Sequence, residues 1–124
     1  LVELYKVKND KSFLDLAHNI ADATIENFVY DNGVLKDPKE PNLNGDASQF
    51  KGIFMRNLGF LYSESPKEHY KSFILNNVNS IWSFARNKTT NEVGVVWNNS
   101  SEKTNASTQS SALDAFNAAM IVSK

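Results

Sequence analysis

The sequence predicts an all-α fold in which antiparallel helical hairpins stack side by side, interrupted by one short extended segment. Two observations carry this expectation. Apolar or small residues recur at helical spacing through most of the chain, and the connections between those stretches alternate between short and long. A third observation concerns the edges. Both ends of the 124-residue sequence lie inside helical patterns without a polar capping element. Residues 1–124 are therefore expected to form part of a single domain. Its exposed helix faces would be covered by further hairpins of the same domain or by self-association.

Leu1, Leu4 and Tyr5 read as the last turn of a first helix. Asn9-Asp10 stops it, and Asp10 can accept from the free amides of the next. There the stripe is Phe13, Leu16, Ala17, Ile20, Ala21, Thr24 and Phe28, closed by the turn residues Asp31-Asn32-Gly33. Residues 34–47 are polar and hold Pro38 and Pro41, which suits a long ordered loop. A helix over 48–62 follows, striped by Phe50, Ile53, Phe54, Asn57, Leu58 and Leu61. Gly52 and Gly59 lie two turns apart on one side of it, where another helix could approach closely.

Ser65, Pro66 and Glu68 carry the pattern of a capping box with proline in the first turn. The apolar face beyond it is Tyr70, Phe73, Ile74, Val78, Ile81, Trp82 and Ala85. Val93 to Trp97 is a short extended segment, 98–107 a polar loop, and 108–122 the last helix.

Thirteen Lys and Arg against fourteen Asp and Glu leave the chain near neutrality. No basic stripe supports a nucleic-acid partner or a polybasic membrane contact. No apolar run approaches the roughly 20 residues that cross a bilayer. The absence of cysteine excludes disulfides and thiolate metal sites. His18 and His69 are far apart, without a companion at ligand spacing, and read as surface or cap residues. No metal or cofactor is implied. Asn87, Asn98, Asn99 and Asn105 each begin an Asn-x-Ser/Thr triplet, read here as polar loop.

The segment Asp46-Ala47-Ser48-Gln49-Phe50-Lys51-Gly52-Ile53-Phe54-Met55-Arg56-Asn57-Leu58 resembles the Phe-Lys-Gly-x-Phe-x-Arg segment of glycoside hydrolase family 76, the endo-α-1,6-mannanase family. Thr108-Gln109-Ser110-Ser111-Ala112-Leu113-Asp114 is similar to that family's final-helix signature, and the spacing between the two agrees. The resemblance spans about residues 10–119. It implies an (α/α)6 toroid, of which this chain would supply an incomplete, C-terminal part. It also implies retaining hydrolysis of α-1,6-mannan by two adjacent aspartates, whose carboxyl groups stand roughly 5 Å apart.

No Asp-Asp pair occurs in this sequence, so no catalytic residue is expected within it. The expected partner is α-mannan or a mannooligosaccharide. A polysaccharide substrate favours a secreted or cell-surface protein, although a cytoplasmic one is compatible, and the lack of cysteine leans towards a bacterial member. Transglycosylation on the same fold and a non-catalytic helical carbohydrate-binding or scaffold module are the alternatives.

Asp46, Phe50, Lys51 and Trp97 are the expected sugar contacts. Asp46 either caps the helix that follows or accepts from sugar hydroxyls. Phe50 either joins the core or packs on a sugar face. A lysine in a helix's first turn opposes the helix dipole, so a ligand-facing role is expected for Lys51, donating to sugar hydroxyls. Trp97 either stacks on a pyranose or is buried. Arg56 and Asp114 read as structural, and Trp82 as core.

Overall fold

A computed structural model of the chain describes residues 1–43, 45–100 and 103–124. The expected loops over 34–47 and 98–107 fall partly on Asn44, Ser101 and Glu102, which lie outside the described residues. The helices are α1 (Val2–Lys8), α2 (Ser12–Asn27), α3 (Phe50–Glu64), α4 (Glu68–Ser80) and α5 (Ala106–Val122). A 3-10 turn, Gly45–Gln49, leads into α3, and a π-helical turn, Ile81–Ala85, closes α4. The expected extended segment is no strand. Among the described residues its one ladder contact is an isolated antiparallel bridge from Val93 to Arg86, matched in the other long loop by one between Val29 and Leu35.

α3 and α5 form the centre. They run parallel, with Gly52 against Ser111 and Gly59 against Ala118, each pair seven residues on from the last. A Cβ at Gly52 would stand 2.5 Å from Ser111 Cα, so glycine is what allows the approach. Gly52 N–H, a first-turn amide, donates to Ser111 Oγ at 2.9 Å, so the neighbouring helix satisfies a donor that α3 itself leaves open. α4 returns antiparallel and packs against both, burying Tyr70, Phe73, Ile74 and Asn77. Small residues dominate the inner side of α5 (Ala112, Ala115, Ala118, Ala119), which keeps the helices close.

Several stripes are rotated from their sequence-based positions. α2 buries Ala17 and Ala21 and leaves Leu16 and Ile20 exposed, as is Phe28 just past its end. His18 joins the buried side, between Tyr70 Oη (2.9 Å) and Ser65 Oγ (3.0 Å), and is not the surface residue expected. Ser65 is thereby engaged away from α4, which begins after Lys67 without a side-chain cap, so the expected capping box does not form. A capping box does form at α5, between Asn105 and Thr108. Trp82 is 57% exposed, not core. The π-helical turn adds a residue to the repeat, closing Arg86 N–H on Ile81 O, and turns Trp82 outward while Ile81 and Ala85 stay buried. The indole lies under the Arg86 guanidinium and edge-on to Phe116.

Among the described residues no helix is long and apolar enough to cross a membrane.

Candidate functional site

Because α3 and α5 are parallel, their N-terminal ends share one end of the molecule. The two long connections, described over residues 28–43 with the 3-10 turn and over 86–100 and 103–105, deliver the chain to those ends. Gln49 Nε2 donates to Ser107 Oγ (3.3 Å), and Gln109 Oε1 accepts from Val93 N–H (3.0 Å), so the loops and helix starts are tied together. This end gathers all four residues that the sequence singles out, and it divides them into two pairs.

Asp46 and Phe50 face outward. Asp46 sits in the first turn of the 3-10 segment and is exposed. The residue immediately before α3 is Gln49, so Asp46 does not cap that helix. Phe50 is 55% exposed one turn further on, so it does not join the core. Beside it opens a concavity of about 250 Å³, lined by Thr24, Phe28, residues 35–38, Lys51 and Phe54.

Lys51 and Trp97 face inward. The Lys51 side chain is 6% exposed and Trp97 is fully buried. The ammonium pairs with Glu40 Oε1 and donates to Val95 O (2.6 Å) and Leu35 O (3.4 Å), while lying 4.5 Å from the centre of the Trp97 ring. An ammonium has three N–H donors, and three protein oxygens receive them. The expectation that Lys51 donates to sugar hydroxyls therefore meets a different geometry. Its polar partner is protein, and its position in the wall of the concavity is the remaining link to a ligand. Trp97 has no free face on which a pyranose could stack.

Glu40, which sequence reasoning passed over, completes the arrangement. Its side chain is 1% exposed. It accepts from Tyr30 Oη (2.6 Å) at Oε2 and from Asp37 N–H (3.1 Å) at Oε1. Burial pushes the Lys51 ammonium below the ordinary lysine range, and the Glu40 carboxylate opposes that shift. Burial, then the hydrogen bond to Glu40, raises the Tyr30 phenol well above its usual range. α4 braces both loops from behind. Asn77 Oδ1 accepts from Leu35 N–H (2.8 Å), and Ser80 Oγ donates to Trp97 O (2.9 Å). The signal that could have found Glu40 is the dipole argument itself, because a buried first-turn lysine demands a carboxylate. The proline-bracketed loop holds one, between Pro38 and Pro41.

Arg56 pairs with Asp114 across α3 and α5 at 3.7 Å, the structural role expected of both. Among the described residues no three His, Asp or Glu side chains converge to hold a metal.

Comparison with known proteins gives a consistent picture. The model of glycosyl hydrolase family 76 matches residues 1–124. Comparison with the curated proteins gives no match. The fold is similar to that of the Lin0763 protein from Listeria innocua, with a TM-score of 0.85 at 25% identity over 98% of this chain and 34% of that one. It is also similar to an inactive variant of the α-1,6-mannanase GH76A of Salegentibacter sp. HEL1_6, solved in complex with α-1,6-mannotriose. That variant carries asparagine at two consecutive aspartates, and the TM-score is 0.82 at 22% identity over 96% of this chain and 36% of that one. A second inactive variant, with alanine at both aspartates, was solved with α-1,6-mannotetrose and gives the same TM-score at 23% identity. The chain thus spans about a third of the length of the solved structures it matches, and its helices correspond to that portion of an α/α toroid.

Proposed function

From the premise that this chain belongs to glycosyl hydrolase family 76, we propose that it forms one wall of the substrate cleft of an enzyme cleaving α-1,6-mannosidic linkages. The family match over residues 1–124 is the observation that carries this reading. It is supported by the mannooligosaccharides bound to the Salegentibacter relative, by the exposed Phe50 at a concavity, and by the exposed Asp46 one turn before it.

Each pair of residues has a distinct part. Phe50 offers its ring to the apolar face of a mannose unit, and Asp46 accepts hydrogen bonds from sugar hydroxyls. Lys51 and Trp97 lie beneath, as the support on which this wall rests. The catalytic pair is two consecutive aspartates elsewhere in the same domain, since residues 1–124 contain none. Loss of activity in the Salegentibacter protein when two consecutive aspartates are replaced supports that assignment. One carboxylate attacks the anomeric carbon from below while the other protonates the departing oxygen. The glycosyl-enzyme ester is then opened by water, giving net retention.

The test is incubation of the intact protein with debranched α-1,6-mannan, followed by separation of products. The reading expects mannooligosaccharides whose reducing ends appear first as the α-anomer by proton NMR. No product at high enzyme concentration sinks the hydrolase assignment, and a β-anomer appearing first sinks retention alone.

A further inference from the structure

We propose that Glu40 and Lys51 are a positioning pair that locks residues 34–40 and 93–97 into one rigid unit beneath the cleft wall. The pair would govern how tightly substrate is held without touching it. The link to substrate rests on the mannan-cleaving reading above, whereas the lock itself does not.

Four observations lead to this inference. First, the pair joins segments distant in sequence. Lys51, on α3, reaches the carboxylate of Glu40 and the Leu35 carbonyl in one loop, and the Val95 carbonyl in the other. Second, the donors and acceptors of the cluster close on themselves. Tyr30 and Asp37 satisfy Glu40, and among the described residues no buried side-chain nitrogen or oxygen is left without a partner. Third, the ammonium also lies 4.5 Å from the centre of the Trp97 ring, so the second loop is held by a side chain as well as a carbonyl. Fourth, Phe50, the exposed aromatic residue, is the direct neighbour of Lys51 at the edge of the concavity. Any slackening of the lock is felt at the surface proposed to meet sugar.

Physical chemistry argues against bulk stability as the reason for the pair. A buried ion pair commonly contributes no more than apolar residues of equal volume would, whereas it specifies which groups meet. Here the specified groups are two loop carbonyls and a loop carboxylate. A hydrophobic residue at position 51 could fill the space but could not select those oxygens.

The lock is tested by hydrogen–deuterium exchange on the intact protein carrying Glu40→Gln, which keeps the shape of the side chain and removes its charge. Exchange of the amides in 34–40 and 93–97 is expected to quicken together, by at least about tenfold beyond any uniform change shared by α3 and α5. If only 34–40 quickens, and 93–97 keeps wild-type protection, the lock does not couple the loops and the proposal falls. Should Glu40→Gln fail to fold, Tyr30→Phe removes a single bond to Glu40 and is expected to quicken the same two segments to a smaller degree.

Kinetics test the link to substrate. With α-1,6-mannan the KM of the variant is expected to rise about tenfold while kcat stays within about threefold, the pattern of a displaced binding wall. Unchanged KM with loosened loops overturns the positioning role. A wild-type protein inert on mannan would instead defeat the functional reading, with exchange still deciding the lock.

Discussion

Gly52 hands its backbone N–H to Ser111 Oγ at 2.9 Å, and the absence of a side chain on Gly52 is what lets the oxygen come so near. A methyl group there would meet Ser111 Cα at 2.5 Å and its carbonyl oxygen at 2.6 Å. Both obstacles are backbone, so the helices would have to separate. Gly52→Ala is expected to cost about 3 kcal/mol, the upper range for overpacking. A methyl group on Gly59 would meet Ala118 at 3.3 Å, and Gly59→Ala recovers some helix propensity, so it should stay within about 1 kcal/mol of wild type. Denaturant unfolding of the intact protein checks the order of the two. Equal effects would contradict the close parallel packing.

Ser111→Ala tests the other partner. It strands a buried amide and should cost about 1–3 kcal/mol by the same measurement. A neutral outcome would mean that the Gly52 amide finds another acceptor.

The Lys51 ammonium can be removed with or without its counter-charge. Lys51→Met alone buries the Glu40 carboxylate unpaired and is expected to destabilise by about 3–5 kcal/mol. Lys51→Met combined with Glu40→Gln should recover most of that loss. A double variant as unstable as the sum of the singles would show that the two groups do not act as a pair.

His18 makes stability depend on pH in a stated direction. Burial, then the nearby Lys67 charge, lowers its pKa below the ordinary 6.5. The folded state therefore binds fewer protons than the unfolded state as pH falls through that range. The contribution of neutral His18 is complete above about pH 6.5 and is lost as pH drops from there towards the folded value. His18→Gln should flatten the decline in stability between pH 7 and 5 relative to wild type. An identical slope in the two proteins would remove His18 as its source.

Large apolar side chains stand open on several helices, among them Leu16, Ile20, Phe60, Trp82, Leu113 and Met120. Residues 1–124 expressed alone should self-associate through these faces. Light scattering on the eluting peak checks this, and a cooperatively melting monomer would contradict it.

The helices and their order were legible in the sequence because helical periodicity survives small errors of phase. Which residues face inward was less legible. In α2 the small Ala17 and Ala21 are buried while the larger Leu16 and Ile20 are open, so side-chain size misleads about the packed face. Gly52 and Gly59 carried a correct expectation of close helix approach, since few other roles suit glycine inside a helix. Trp82 was misplaced because a π-helical turn breaks the 3.6-residue repeat without a sequence sign such as proline. At the site, the physical oddity of Lys51 was visible and its solution was not. The partner, Glu40, lies eleven positions away in an irregular loop, where no periodicity relates the two.

Phe50, at the outward edge of the Lys51 cluster, is the residue proposed to meet mannose. Calorimetric titration of the intact protein with α-1,6-mannotetraose, wild type against Phe50→Ala, tests it most directly. Binding by Phe50→Ala is expected to be at least about tenfold weaker, equivalent to about 1.4 kcal/mol, with unchanged melting temperature. Equal affinity in the two proteins would contradict it.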